Sequence, residues 1–260
     1  PTTICWSMHM CELELQLKEL RLPGMCASYR ERADEARQES LSYEEYLASL
    51  VSREIELRHE NRTDRWLRQS RLPLEKSLQT FDQSRLSAKV RRSVQTLLDG
   101  EFLDHAENVL AFGNPGSGKT HLLCAVGQEL IHRGHRVLFQ SCNLLVQDLL
   151  AAKQELSLGK ALKSLRRYEA IIIDDIGYVQ QDRAEMEVLF ALLADRYEKR
   201  SVMLTSNLPF SKWELIFKDP MTTAAAIDRL VHHSVILELN MPSYRLEAAK
   251  SKKEVPSQKK

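Results

Sequence analysis

Eight consecutive residues near the middle of the chain have the types and the spacing that bind phosphate groups. They are Gly113, Asn114, Pro115, Gly116, Ser117, Gly118, Lys119 and Thr120. The glycines let backbone N–H groups turn toward phosphate oxygens, and a helix beginning here adds its positive dipole end. We expect Lys119 to reach the β- and γ-phosphates, Thr120 to bind Mg²⁺, and the adjoining His121 to join the same site. The pattern predicts a site for a nucleoside triphosphate with Mg²⁺; an incidental glycine-rich turn is the alternative.

Two carboxylates follow an apolar run further along the chain and are expected to complete the site. Asp174 and Asp175 come directly after three isoleucines at 171–173. Polar residues at the carboxyl end of a buried parallel strand lie at the ligand crevice. We expect Asp174 to hold the Mg²⁺ shell through water, and Asp175 to orient or deprotonate the attacking water. Asp is shorter than the Glu that is more usual at the second position. This difference bears on the rate of hydrolysis and not on nucleotide binding. Alternatively, both acids only end the strand or cap the next helix.

A third polar residue ends another apolar run. The sequence Val202 to Leu204 leads through Thr205 and Ser206 to Asn207. If this strand lies beside the strand before the phosphate motif, Asn207 can position the water between the γ-phosphate and Asp175. An Asn shortly before a proline is otherwise most often a turn residue. We favour the sensor role, with the turn as its alternative.

Five short apolar runs in the second half of the chain predict the strands that position these residues. They cover 109–112, 137–139, 171–173, 202–204 and 235–237. The runs are rich in β-branched residues and do not alternate with polar ones, as in strands buried on both faces. Helical patterns separate them, so the connections are crossovers and the sheet is mostly parallel. We therefore predict an α/β three-layer P-loop domain of the AAA+ type with a parallel five-stranded sheet.

The first half of the chain has helical patterns only, and we predict a small all-helical N-terminal domain. Ser42 and Glu45 match a capping box at the start of a helix that extends to about Arg71, and another helix covers about Ser87 to Leu98, closed by Gly100. The predicted domains are 1–100, helical; 101–242, the ATPase core; and 243–260, a second-sensor segment with a basic tail. After the last strand about 20 residues remain, too few for a C-terminal helical lid.

Composition narrows the class of protein. Hydrophobic residues make up 43% and charged residues 28% of 260, as in ordinary globular domains. There is no run of about 18 apolar residues and no signal-peptide pattern, so we expect a cytoplasmic protein without membrane contact. Five scattered cysteines argue against a disulfide framework. Cys5, His9 and Cys11 offer three metal ligands without a fourth, and free thiols are the simpler interpretation.

Several segments together resemble the IstB family, the ATP-binding helper proteins of insertion-sequence transposition. These proteins are similar to DnaC-type helicase loaders within the AAA+ superfamily. The segments that carry the resemblance are 20–25, 44–47, 113–120, 171–177, 205–210, 226–233 and 243–245. The resemblance covers nearly the whole chain after about Cys11, and the block at 226–233 is more discriminating than the strands. It implies ATP as the nucleotide.

The resemblance also implies roles for two arginines. Arg229 would be an arginine finger that completes a neighbouring subunit's site and offsets charge on the γ-phosphoryl group. An ion pair with Asp228 or another nearby acid is the alternative. Arg245 would be the second sensor, contacting the nucleotide of its own or an adjacent subunit, although an Arg near a tail is equally often solvated. We interpret His232 and His233 as packing or helix-end residues.

Family membership further implies three partners: double-stranded DNA bound largely without sequence preference, a cognate transposase, and further copies of the chain in a higher oligomer. Between 53 and 92 there are eleven basic and six acidic residues. Two basic groups are possible DNA contacts. The first is Arg58, Arg62 and Arg65, with Arg68, on one helical face; the second is Lys153, Lys160, Lys163, Arg166 and Arg167. A solvated helix face paired with nearby acids is the alternative.

Three functions fit this pattern. We favour an ATPase that oligomerises on duplex target DNA and delivers it to a transposase, with hydrolysis controlling assembly and release. The first alternative is a DnaC-type replicative helicase loader acting on single-stranded DNA. The second is an ATP-switched DNA scaffold with little turnover, which Asp rather than Glu at position 175 keeps open. Stimulation by duplex or by single-stranded DNA separates the first two functions.

Overall fold

Helices make up the amino-terminal part of the chain. The computed structural model describes residues 12–176, 183–214 and 220–244, and the chain divides into two compact units, Pro1–Arg65 and Trp66–Lys260. In the first unit residues 12–19 are helical, and α1 (Pro23–Glu39) and the start of α2 (Tyr43–Ser70) follow. The predicted capping box is present, since Glu45 N–H donates to Ser42 Oγ at 3.2 Å and Ser42 N–H to Glu45 Oε2 at 2.8 Å.

A buried carboxylate fixes α1 against α2. Glu54 Oε2 accepts the N–H groups of Gly24 and Met25 at 2.7 and 3.2 Å, so it caps the first turn of α1. Arg58 Nε donates to the other oxygen, Glu54 Oε1, at 2.7 Å. A Cβ atom on Gly24 would lie 2.9 Å from the Glu54 Cα atom, so this approach requires glycine.

The second unit alternates strands and helices after two further helices. The 3₁₀ turns are Gln83–Arg85 and Phe210–Lys212. The strands are β1 (Asn108–Gly113), β2 (Val137–Ser141), β3 (Ala170–Asp174), β4 (Ser201–Ser206) and β5 (Ser234–Leu239). The helices are α3 (Ala88–Asp99), α4 (Glu101–Asp104), α5 (Lys119–His132), α6 (Cys142–Gln154), α7 (Leu158–Leu165), α8 (Arg183–Arg196) and α9 (Pro220–Val231).

The five strands form one parallel sheet in the order β2-β3-β4-β1-β5. The predicted parallel five-stranded sheet with helices is therefore confirmed. Phe112 of β1 pairs with Ser206 of β4, and Ile173 of β3 pairs with Leu204 of β4. β4 thus lies between β1 and β3, and the carboxyl ends of these three strands meet at one edge of the sheet.

Residues 66–100 pack with the sheet rather than forming a separate domain. Val94 and Leu97 of α3 are 1% exposed and belong to the same apolar cluster as Val109 and Met203 of the sheet. Ser87 caps α3 through a 3.3 Å hydrogen bond from Val90 N–H, and Gly100 ends it with φ +83°, as predicted. The boundary between the two compact units lies between Arg65 and Trp66, whereas the sequence predicts a domain limit near residue 100. The difference arises because the buried face of α3 continues the core of the sheet.

Two further observations concern composition. Within residues 12–176, 183–214 and 220–244, no helix combines the length and the apolar character that crossing a bilayer requires. Among the described residues, Cys26, Cys124 and Cys142 form no disulfide bond. The cysteines at 5 and 11, with His9, lie outside the described residues, as does the tail from Arg245 onward.

Candidate functional site

The phosphate motif forms the loop between β1 and α5. Gly116 and Gly118 have φ angles of +80° and +93°, a backbone region that side chains disfavour. The loop therefore curves around Lys119, which is only 7% exposed. Its Nζ atom donates to the carbonyl oxygens of Gly113 and Asn114 at 2.8 and 3.0 Å. These contacts hold the ammonium group at the mouth of the loop.

One buried hydroxyl in this loop fits an anionic ligand. Ser117 is 2% exposed, and its Oγ atom has no hydrogen-bond partner among the residues that the structure describes. Buried polar atoms are nearly always paired, so an orphaned donor marks a place where a bound group completes the structure. Because α5 begins at Lys119, its positive dipole end points at the same space.

Three oxygen atoms from separate elements converge beside the loop. The hydroxyls of Thr120 on α5 and Thr205 on β4 each donate to Asp174 Oδ1 at 2.7 Å. Thr205 is 1% exposed, and its Oγ atom also accepts the Asp175 N–H at 2.8 Å. Carboxylate and hydroxyl oxygens are the ligands that Mg²⁺ prefers. Thr120 and Asp174, predicted as the metal-binding pair, are therefore in direct contact.

The two remaining predicted polar residues follow the same strand ends. Asp175 has φ +69°, a strained value for a residue with a side chain, and the Thr205 hydroxyl bonds to its N–H group. Asn207 comes directly after β4, and its Oδ1 atom is buried without a hydrogen-bond partner. The strand order places Asp175 and Asn207 at the same sheet edge as the loop, as their predicted roles require.

A pocket of about 200 Å³ opens beside the loop, and its lining combines predicted loop residues with residues outside the motif that the sequence patterns did not predict. Its lining residues are Lys76, Thr80, Phe81, Asp82, Arg85, Gly116, Ser117, Gly118, Lys119, Thr120, His121, Met241 and Tyr244. Phe81 meets the His121 ring edge-on at 5.2 Å between centroids, and a Cβ on Gly118 would lie 3.1 Å from Phe81. The segment between α2 and α3 thus supplies an aromatic wall next to the phosphate loop.

Four hydrogen bonds hold this lining in place. Gln128 Nε2 on α5 donates to the carbonyls of Pro73 and Lys76 at 3.1 and 3.0 Å. Arg85 Nη2 donates to Pro242 O at 2.9 Å, and Tyr244 N–H donates to Gly116 O at 3.0 Å. The segment 73–85 and the chain after β5 are therefore both fixed against the loop.

His121 is a neutral member of this lining. Its Nε2 atom lies 3.1 Å from Ser77 O, and because a carbonyl only accepts, the ring proton is on Nε2. Burial lowers the pKa of His121 below its usual value, although the bond to Ser77 opposes this shift. The lowered pKa favours the neutral form of the imidazole.

Arg229 lies away from the loop of its own chain. Its carbonyl accepts a 3.3 Å hydrogen bond from Asn108 Nδ2 at the start of β1, whereas the loop begins at the other end of that strand. Its guanidinium donates to Ala225 O at 3.0 Å and lies 4.6 Å from the centroid of the Phe190 ring. Neither of these guanidinium contacts involves Asp228, the ion-pair partner that the alternative interpretation predicts. Arg245 lies outside the described residues.

The predicted DNA contacts differ in the pairing and in the exposure of their side chains. Arg58 bonds to Glu54, Arg166 to Asp195, and Lys153 to Glu187 at 2.6 Å. The side chains of Lys160, Lys163 and Arg167, on or just after α7, are exposed, as are Arg62 and Arg65. Pairing within the chain, the alternative, is therefore observed for Arg58, Lys153 and Arg166, and α7 retains an exposed basic group.

Together, the sheet order, the glycine loop and the acidic strand end define a P-loop nucleotide-binding domain of the AAA+ type. The orphaned Ser117 hydroxyl fits a phosphate group, and the Thr120–Asp174 pair fits Mg²⁺. The aromatic pocket beside the loop has room for a nucleoside.

Comparison with known proteins identifies the family. The model of the IstB-like ATP binding protein family matches residues 15–253, and the chain belongs to this family. It is similar to an insertion sequence ATP-binding protein of Sinorhizobium fredii, with 40% identity over 238 residues, covering 91% of this chain and 80% of the relative. The predicted family resemblance and the ATP-binding class are therefore confirmed.

Solved structures show the same fold at low sequence identity. AMPPCP-bound DnaA from Aquifex aeolicus matches 73% of this chain with a TM-score of 0.56 and 19% identity, and the match spans 58% of that chain. The DnaC helicase loader matches 63% of this chain and 96% of its own, with a TM-score of 0.54 and 16% identity. These matches establish the AAA+ fold of the second unit.

Thr205 is a site residue that sequence reasoning missed, although it stands two residues before the predicted sensor. We expect Thr205→Val to weaken Mg²⁺ binding, because Asp174 loses one donor and the Asp175 N–H loses its acceptor. Losing such an outer contact typically reduces metal affinity about 10- to 100-fold. The measurement is the Mg²⁺ concentration that half-saturates ATP binding. Thr205→Ser keeps the hydroxyl and should resemble wild type; equal Mg²⁺ dependence in Val and Ser variants would contradict this role.

Proposed function

We propose that this chain is an ATPase that assembles on duplex DNA and delivers it to a transposase, with ATP hydrolysis controlling assembly and release. The observation that carries the proposal is the position of Arg229, at the opposite end of β1 from the phosphate loop. An arginine finger in that position serves a neighbouring subunit's nucleotide. The insertion-sequence names of the relatives support the transposition role.

Each polar residue at the carboxyl edge has a role in this proposal. Mg²⁺, held by Thr120 and Asp174, would neutralise charge on the phosphates. Lys119 and the loop N–H groups bind the β- and γ-phosphates. Asp175 accepts the proton of the attacking water or orients it, and Asn207, whose buried Oδ1 has no partner within the chain, holds that water.

A finger acting between subunits makes ATP part of their interface. Over the five residue steps from Asn108 to Gly113 a strand advances about 16 Å, farther than one arginine side chain extends. Arg229 therefore cannot complete the site of its own chain. ATP favours assembly only if it binds the assembled state more tightly, and hydrolysis removes the γ-phosphate that makes this difference. The nucleotide state thereby controls how long the oligomer stays on DNA.

The DNA surface proposed here is the exposed basic group on and after α7. Lys160, Lys163 and Arg167 are exposed, whereas Lys153 and Arg166 form ion pairs with Glu187 and Asp195. Paired cations contribute less to phosphate binding, because their carboxylates offset the charge. Each phosphate contact steepens the fall of affinity with salt by roughly 0.9 in log–log slope.

Duplex DNA should stimulate the ATPase more than single-stranded DNA of equal length, because the proposed substrate is a duplex. The measurement is the hydrolysis rate with each DNA at matched nucleotide concentration. A protein stimulated by single strands alone would instead be a helicase loader, the alternative function.

The salt dependence of DNA binding tests the proposed DNA surface on α7. The double variant Lys160→Gln, Lys163→Gln should reduce the log–log salt slope of DNA binding by about two. Lys153→Gln is the matched control, because Lys153 is already paired with Glu187. Equal losses in both variants would exclude α7 as the DNA contact.

Mixing two inactive variants tests the finger. Arg229→Ala should lose most hydrolysis but keep its ATP affinity, since the residue lies away from its own site. Mixed with Lys119→Ala, it should regain part of the activity, because some interfaces then combine an intact site with an intact arginine. Arg92→Ala, an exposed arginine on α3, is the control and should hydrolyse ATP like wild type. A mixture no more active than its separate components would contradict action between subunits.

A further inference from the structure

Two turns at the amino-terminal edge of the sheet bring together three metal-ligating side chains. Glu198 lies in the turn between α8 and β4, and His232 and His233 lie in the turn between α9 and β5. One ligand atom from each residue lies within 4.8 Å of the other two, and all three residues are exposed. The residues are 34 positions apart in the chain, so the fold rather than the local sequence assembles this cluster.

The turn that carries Glu198 is firmly anchored. Arg196, 1% exposed, donates to the carbonyls of Leu165, Tyr168, Glu169 and Ser201, which ties the end of α8 to the starts of β3 and β4. Glu198 has φ +56°, a conformation that costs free energy for a residue with a side chain. The anchored turn therefore fixes the backbone of Glu198, while its exposed side chain can still change rotamer.

The histidines are held as well. The Tyr197 hydroxyl lies 3.2 Å from His232 Nδ1, and the rings of His232 and His233 meet edge-on with centroids 4.2 Å apart. A partner on one ring nitrogen fixes the orientation of the ring and leaves Nε2 of His232 for a metal ion. Metal-binding histidines characteristically have such an outer partner.

From this cluster we propose that Glu198, His232 and His233 form a binding site for a divalent transition-metal ion, with Zn²⁺ as the best fit. Two imidazoles and one carboxylate are a recurrent zinc ligand set, whereas Mg²⁺ prefers oxygen ligands alone. Water completes the coordination, since the three residues are exposed. This site is separate from the nucleotide site, because the strands place the two at opposite edges of the sheet.

The geometry sets the expected strength of binding. Four-coordinate zinc with bonds of about 2.0 Å needs ligand atoms about 3.3 Å apart, so the side chains must close in from their present 4.8 Å limit. Exposed side chains can make this movement by changing rotamers. The site therefore binds an exchangeable ion more weakly than a preformed structural zinc site does.

Metal titration of the full-length protein tests this site without ATP or DNA, so its result does not depend on the proposed function. Calorimetric titration with ZnCl₂ should show one more bound equivalent in wild type than in Glu198→Gln or His233→Asn. Since five cysteines elsewhere in the chain can also bind zinc, the readout is this difference. Tyr197→Phe should keep the equivalent but bind it about tenfold more weakly, because the outer partner of His232 is gone.

His132→Asn is the matched control, since His132 is exposed at the end of α5 outside the cluster and should leave the zinc stoichiometry unchanged. Far-UV circular dichroism confirms that each variant is folded; because all three cluster residues are exposed, no variant should lose structure. MgCl₂ should give no cluster-dependent equivalent. Equal zinc stoichiometry in wild type, Glu198→Gln and His233→Asn would overturn the proposal.

Discussion

The hydroxyl groups of Thr120 and Thr205 meet on one carboxylate oxygen, Asp174 Oδ1, and the nucleotide site depends on this convergence. The three residues come from α5, β4 and β3, which are distant in sequence. They meet because β4 lies between β1 and β3 in a parallel sheet, so that their carboxyl ends share one edge. The strand order therefore determines the chemistry of the site. A different order would separate the phosphate loop from Asp174.

The sequence was sufficient for the parts of the site that depend on local backbone chemistry. The glycine-rich loop, the five apolar strands and the capping box at Ser42 each have a short-range physical cause, and the structure has all of them. Thr205 was missed because a threonine in a strand usually reflects β-propensity, and only the strand order turns its hydroxyl toward Asp174.

The wall of the pocket was unpredictable for another reason. Phe81 lies in a segment with no regular periodicity, fixed to α5 by Gln128 through backbone carbonyls that no sequence pattern identifies. The sequence likewise did not predict where the chain divides into two units. α3 has an amphipathic pattern that fits a helical domain and a sheet-covering helix equally, and its buried contacts with the sheet decide the question.

The two edges of the sheet carry different chemistry. The carboxyl edge has the phosphate loop and its acids, whereas the amino edge has Arg229 and, within three to four residues of it, two histidines. In the proposed assembly, subunits that meet head to tail would bring one edge against the other, as in closed rings or helical filaments. The nucleotide would then lie between the carboxyl edge of one subunit and the amino edge of the next.

Calorimetric titration of the purified protein with ATP, with and without Mg²⁺, tests the central claim most directly. The structure predicts saturable binding that is strengthened by Mg²⁺, because Thr120 and Asp174 are positioned to hold the ion. Binding should be lost in Lys119→Ala, which removes the charge that faces the phosphates. A wild-type protein without Mg²⁺-dependent affinity for ATP would contradict the assignment of this loop as a nucleotide site.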